Sequence, residues 1–140
     1  MTHNAADRQL IMEVVARYAF GYDEAEFDLI GEAFTTGATS KGVWSTGSVA
    51  WGPMRGREEI VSVLSAMRKG QLDQPRHIIT NFHFTKQTDS SASARFYLAL
   101  NSTVGDKCSI VSAGKYDAEF VKDAGIWRLS RLDALLDRSY

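Results

Sequence analysis

The chain has 140 residues, 44% of them hydrophobic and 24% charged, a composition that suits one folded unit and argues against disorder. With 16 Lys and Arg against 17 Asp and Glu the net charge is −1, which gives no electrostatic case for nucleic acid or an anionic membrane as partner. A single cysteine, Cys108, excludes an intrachain disulfide framework and a multi-cysteine zinc site, and it fits a reducing compartment. The opening MTHNAADRQL has no apolar signal-peptide core. The longest apolar run, Phe96 to Leu100, falls far short of the roughly 20 residues a membrane helix needs. A cytoplasmic location is the expectation.

Residues 5–22 carry helical periodicity, with Leu10, Ile11, Val14, Val15, Tyr18, Ala19 and Tyr22 at steps of three and four. A short helix is expected over 24–34, with Phe27, Ile30, Ala33 and Phe34 as its apolar side. Residues 38–52 read as two short strands with a turn near Ser45-Thr46-Gly47, followed by a loop at Gly52-Pro53. A third helix over 57–69 buries Ile60, Val61, Leu64 and Met67, and Gly70 closes it. Strands over 76–87, 92–103, 109–122 and 126–136, separated by turn residues, imply an antiparallel meander. The order predicts an α+β domain spanning 1–140, with helices on one face of a curved antiparallel sheet.

Several chemistries are excluded. There is no phosphate-cradling glycine loop and no nucleophile elbow. His77 and His83 are six residues apart on one strand, hence about 20 Å apart and unable to share an ion; with His3 near the terminus, no metal site is expected.

Three polar residues keep apolar company. His77 opens the strand segment Arg76-His77-Ile78-Ile79-Thr80-Asn81, where alternation places His77, Ile79 and Asn81 on one face. It is either a strand-end histidine satisfied by a backbone carbonyl or a general base. Asp23 follows the first helix, where an acid opposes the helix dipole. With Glu26 three residues later it also fits a capping box for the second helix. Arg131 shares a face with Trp127, Leu129, Asp133 and Leu135 under strict alternation. It suits either a cross-strand ion pair or an anionic ligand.

The element order, the Tyr18–Asp23 stretch, the His77-Ile78-Ile79-Thr80-Asn81 segment and the closing Gly114-Lys115-Tyr116 and Gly125-Ile126-Trp127-Arg128-Leu129 together resemble the SnoaL-like branch of the NTF2-like superfamily. That resemblance covers about residues 6–136. It implies a cone-like, strongly curved mixed sheet wrapped around three helices, the cystatin-like arrangement. Within the branch the chain looks most like the scytalone dehydratase and hexachlorocyclohexane dehydrochlorinase group. Enzymes of that group use a His–Asp dyad inside the cone, which implies that role for His77 and Asp23, and the dehydrochlorinase's arginine falls at Arg131. Its first-helix lysine has no counterpart; Tyr18 stands there. The resemblance thus implies a cofactor-independent lyase or isomerase acting on a small apolar or aromatic molecule. Tyr18, Tyr22 and Tyr97 are candidate hydroxyl donors, Asn81 a polar contact, and Phe27, Trp44, Trp51 and Met67 candidate walls. The alternative is a non-catalytic ligand-binding or assembly module, as in dioxygenase small subunits. Phe82, Phe84, Phe96, Leu98 and Phe120 suggest a sheet face buried in a homodimer or homotrimer, as relatives of this branch form.

Overall fold

Apolar spacing of three and four residues builds the first element of the computed structural model, which describes residues 4–140. Helix α1, Ala5–Asp23, starts where the Asn4 side chain accepts the Asp7 N–H, and it buries Asp7, Ile11, Val14, Val15, Tyr18, Tyr22 and Asp23 along one stripe. Helix α2 is Phe27–Ala33 and α3 is Arg57–Lys69, the latter burying Ile60 and Leu64. The strands are β1 Phe34–Trp44, β2 Val49–Arg55, β3 Gln74–Gln87, β4 Ser91–Val104, β5 Lys107–Asp123 and β6 Ile126–Leu136. His3 lies outside the described residues.

The six strands form one sheet in the order β2-β1-β6-β5-β4-β3. Neighbours are antiparallel except β1 and β6, which run parallel, so the sheet is mixed. Its inner face presents Ala94, Phe96, Leu98 and Leu100 of β4, Tyr116, Ala118 and Phe120 of β5, and Trp127, Leu129, Leu132, Ala134 and Leu136 of β6. These pack with Ile11, Val15, Tyr18, Ile30, Phe34 and Ile60 into one core cluster. Among the described residues no helix is long and apolar enough to cross a membrane.

Two of the boundaries that differ from the sequence reading shape the sheet edge. Strand β1 begins at Phe34, directly after α2, because Phe34 and Ala38 are needed in the core. Strand β2 runs through Gly52-Pro53. It lies at the sheet edge, where proline's missing N–H removes no ladder bond. The proposed apolar interface is also corrected. Phe96, Leu98 and Phe120 are fully buried on the inner face, and Phe82 stacks on Phe96 with ring centroids 4.4 Å apart. Phe96, Leu98 and Phe120 are core and are not available to a second copy, while Phe82 and Phe84 are half-buried against it.

Two of the sheet's one-residue bulges decide which of the expected site residues reach the interior. On β3, Thr80 pairs with Tyr97 but His83 with Arg95, so one residue is extra, and Asn81 absorbs it at φ 61°. On β6, Leu129 pairs with Phe120 but Arg131 with Glu119, so Ser130 is the extra residue. A bulge inverts the alternation beyond it. Phe82 therefore turns inward and Asn81 outward; Leu132 turns inward and Arg131 outward.

Candidate active site

The last turn of α1 and the start of β3 meet at a buried carboxylate–imidazole pair. Asp23 Oδ1 lies 2.6 Å from His77 Nδ1, and Oδ2 accepts the His77 backbone N–H at 2.8 Å. Both side chains are nearly inaccessible, at 8% for His77 and 7% for Asp23. The two-point grip fixes the ring and puts the proton on Nδ1, leaving the lone pair on Nε2. Nε2 takes no hydrogen bond from the described residues. No sealed polar side-chain atom among them lacks a partner, so Nε2 is open. The imidazole meets the rings of Tyr18 and Tyr22 in T-shaped contacts, with centroids 6.0 and 5.4 Å apart.

Asp23 does not cap α2: the residue at that position is Glu26, and its side chain makes no capping bond. Asp23 is instead the last residue of α1. The electrostatic penalty of an acid there is offset from α3 and β3. Arg68 Nε donates to the Tyr22 carbonyl at 3.1 Å, its terminal nitrogen donates to the Asp23 carbonyl at 3.1 Å, and Gln74 Nε2 donates to the same oxygen at 2.9 Å. A guanidinium among helix-end carbonyls is the favourable dipole partner.

His77 borders a small cavity, partly open to solvent, with about 30 Å³ open to the centre of a water molecule. Tyr18, Tyr22, Trp51 and Met67 line it with His77, as the sequence analysis expects. Four tyrosines border it, and burial raises the pKa of each. Tyr18 is pushed up to about 12, chiefly by burial, with the Tyr116 hydroxyl pulling it back and Tyr140 and Asp23 adding to the rise. Tyr22, Tyr116 and Tyr140 are pushed up as well, again by burial first. All four therefore keep their O–H at neutral pH; Tyr22 gives its hydrogen to Gln71, and a hydroxyl not engaged within the wall can donate to a substrate oxygen.

Four of the expected site residues lie elsewhere, and a fifth lies apart from the cavity wall. Arg131, beyond the β6 bulge, pairs with Asp133 at 2.7 Å and Glu119 at 3.6 Å on the outer face. Asn81 lies at the β3 bulge beside an outer groove that Tyr97 also borders. Tyr97 stands between the buried Phe96 and Leu98 and is 59% exposed. Phe27 lies under Lys69. Trp44 is not at the cavity wall but packs edge-on against two residues that are, Trp51 and Tyr140. The sequence reading missed Gln71, Asp73, Asn101, Ser102, Tyr116 and Tyr140, all of which border the cavity. Tyr116 was within reach, since it alternates with Ala118 and Phe120 on one face of β5. Gln71 and Asp73 sit between α3 and β3, where no periodicity assigns a direction.

Solved structures share this architecture. A cystatin-like protein of unknown function from Nostoc punctiforme superposes with a TM-score of 0.83 at 22% identity, covering 99% of this chain and 97% of its own. LinA matches with a TM-score of 0.81 at 14% identity over 95% of this chain and 87% of its own. The beta subunit of a proposed aromatic-ring-hydroxylating dioxygenase from Novosphingobium aromaticivorans matches with a TM-score of 0.80 at 20% identity, covering 96% and 92%. No curated protein matches the chain. The SnoaL-like domain family matches residues 3–133, and the protein belongs to that family.

Proposed function

We propose that the cavity is the active site of a cofactor-independent lyase or isomerase acting on a small, largely apolar or aromatic molecule. The observation that carries this reading is the buried His77–Asp23 pair, with Nε2 left free beside a tyrosine-lined cavity. In this reading Nε2 takes a proton from a carbon next to a carbonyl. The C–H electron pair moves toward the carbonyl oxygen, and a tyrosine O–H meets the developing charge. Asp23 stabilises the imidazolium that forms. The same nitrogen then returns its proton, either to a β-hydroxyl that leaves as water or to a different carbon. The resemblance to the dehydrochlorinase group supports an elimination on this fold; at 14% identity the likeness to LinA is one of fold alone. A non-catalytic binding or assembly module, suggested by the dioxygenase subunit's likeness, gives no reason for burying a carboxylate at the wrong end of a helix dipole to hold one imidazole.

The test is hydrogen exchange in heavy water with a panel of aryl ketones and β-hydroxy ketones, followed by proton NMR. The parent protein exchanges or eliminates at least one of them, and His77→Ala does not. Equal exchange by parent and His77→Ala sinks the reading. Self-association into a dimer or trimer is part of the proposal. It is supported by the outer sheet face, where Ile78 and Tyr97 are exposed on adjacent strands; a monomer by light scattering at micromolar concentration removes it.

A further inference from the structure

The end of the cavity that does not hold the base is built from polar groups, and their charges are unbalanced. Asp73, just before β3, is half-buried and lines the cavity. Its Oδ2 accepts the Ser102 hydroxyl of β4 at 2.6 Å, and its Oδ1 takes only a long contact of 3.4 Å from Gln71 Nε2. The Gln71 carbonyl oxygen in turn accepts the Tyr22 hydroxyl. A continuous chain Tyr22–Gln71–Asp73–Ser102 thus ties α1 to β4 across the cavity. A carboxylate offers about four acceptor positions, and here one is well used and one weakly. Among the described residues no Lys, Arg or His lies within ion-pair distance of Asp73.

The residues that line the cavity include no lysine and no arginine. Arg68, the guanidinium at the end of α1, is engaged by the carbonyls of Tyr22 and Asp23. The cavity therefore contains one carboxylate on its wall and a second behind the imidazole, with no cation facing either across the space. The tyrosines register this field: Asp23 adds to the rise of Tyr18, Tyr22 and Tyr116, and Asp73 adds to that of Tyr140.

We propose that Asp73 is a specificity-determining residue that receives an O–H or N–H donor at the end of the substrate remote from His77, and that the cavity rejects anions. The inference rests on the cavity being the substrate site, and it names the substrate class: an uncharged or cationic small molecule with an apolar body and a hydroxyl or amine group, not a carboxylate or phosphate. A donor group completes the free acceptor positions of Asp73. An anionic group meets the Asp73 charge with no compensating cation and loses its water in doing so. A half-buried carboxylate that a ligand does not satisfy is costly to keep, which gives the site a reason to prefer the donor-bearing molecule over one that lacks it.

The experiment uses three probes of one shape: benzyl alcohol, benzylammonium and benzoate. Binding is followed by the indole N–H resonance of Trp51, which lines the cavity. The parent protein binds the alcohol and the ammonium at least about tenfold more tightly than benzoate. Asp73→Asn keeps an oxygen for Ser102, removes the charge and brings the ratio between ammonium and benzoate down by about tenfold. Benzoate binding as well as the alcohol in the parent overturns the inference. So does a ratio unchanged in Asp73→Asn, and so does failure of all three probes to bind at millimolar concentration. The parent's own ordering stands as a measurement if the variant does not fold. Turnover is not needed at any step. A protein that catalyses nothing yet prefers the alcohol loses the lyase reading and keeps this one; a protein that turns over ketones yet prefers benzoate does the reverse.

Discussion

Helix α1 buries an aspartate at each end, and the two do opposite kinds of work. Asp7, in the first turn, is 4% exposed; it accepts Trp127 Nε1 at 2.9 Å and lies 3.5 Å from Lys122 Nζ. It sits where the helix dipole favours negative charge, and its partners come from β5 and β6, so it fastens the helix to the sheet. Asp23, in the last turn, is 5% exposed and sits where the dipole opposes it. Its partner is a histidine at a cavity. The first aspartate is placed where burial is cheapest. The second is placed where burial is expensive, and Arg68 and Gln74 are recruited to offset the cost. A buried charge in an unfavourable field points to chemistry; the same charge in a favourable one points to stability.

The largest expected effects break the cavity end of that comparison. His77→Ala removes the base, and kcat/KM falls by about 10²- to 10⁴-fold or below detection. Asp23→Asn is predicted to cost about 10- to 10³-fold, for a specific reason. The His77 backbone N–H will hold the amide oxygen of the new side chain, which turns the amide NH₂ toward Nδ1. Nδ1 then becomes the acceptor, the proton moves to Nε2, and the base is lost while the ring stays in place. Its stability stays within about 1 kcal/mol of the parent, because the charge removed was opposed by the dipole. Full activity in Asp23→Asn means that the pair is structural.

Asp7→Ala tests the other end. It strands the buried Trp127 N–H and costs about 1–3 kcal/mol of unfolding free energy in a denaturant titration. Its kcat per folded molecule stays that of the parent. A loss of turnover without loss of stability in Asp7→Ala erases the contrast between the two ends. Smaller again is Arg68→Met, which removes the guanidinium from the carbonyls of Tyr22 and Asp23. It lowers stability by about 1 kcal/mol and kcat by roughly three- to tenfold, with KM the less affected. Arg68 acts only by holding Asp23, so added to Asp23→Asn the same change leaves kcat where it was. An additive loss there contradicts a positioning role.

The sequence held the elements and the pair but not the face of every side chain, and the divide has one physical source. His77 lies before the β3 bulge and Trp127 and Leu129 before the β6 bulge, so alternation orients them correctly. Asn81 is the β3 bulge, and Arg131 follows the β6 bulge, so alternation sends both to the wrong side. Asparagine's tolerance of positive φ was a hint at position 81; nothing local announces an extra residue at Ser130. Asp23 was legible only as a choice between cap and dyad, since the partner that decides it is 54 residues away. Asp73 was not legible at all, because its role depends on Tyr22 of α1, Ser102 of β4 and Gln71 of the α3–β3 connection converging.

The smallest expected effect is read in the tyrosines that lie between the two aspartates' reach. Tyr18 is raised from 10.0 to about 12, by burial first and with Asp23 among the lesser causes; Asp7 is not among them. The folded chain therefore holds a proton that the unfolded chain releases at lower pH. The stability this contributes is complete below pH 10.0 and is lost as pH climbs from there to about 12. Tyrosinate absorbance in a pH titration separates the two aspartates. Asp23→Asn removes a negative neighbour and moves the buried-tyrosine midpoint to lower pH, by little, because burial dominates. Asp7→Asn leaves that midpoint alone. The same protonation keeps the hydroxyl donors intact in the working range, so a plot of kcat against pH carries no tyrosine-dependent fall below about pH 10. An alkaline limb near pH 8 or 9 that moves in Tyr18→Phe contradicts a sealed, neutral tyrosine. It means that the hydroxyl is far more exposed to water than its place between Phe34, Tyr116 and His77 implies.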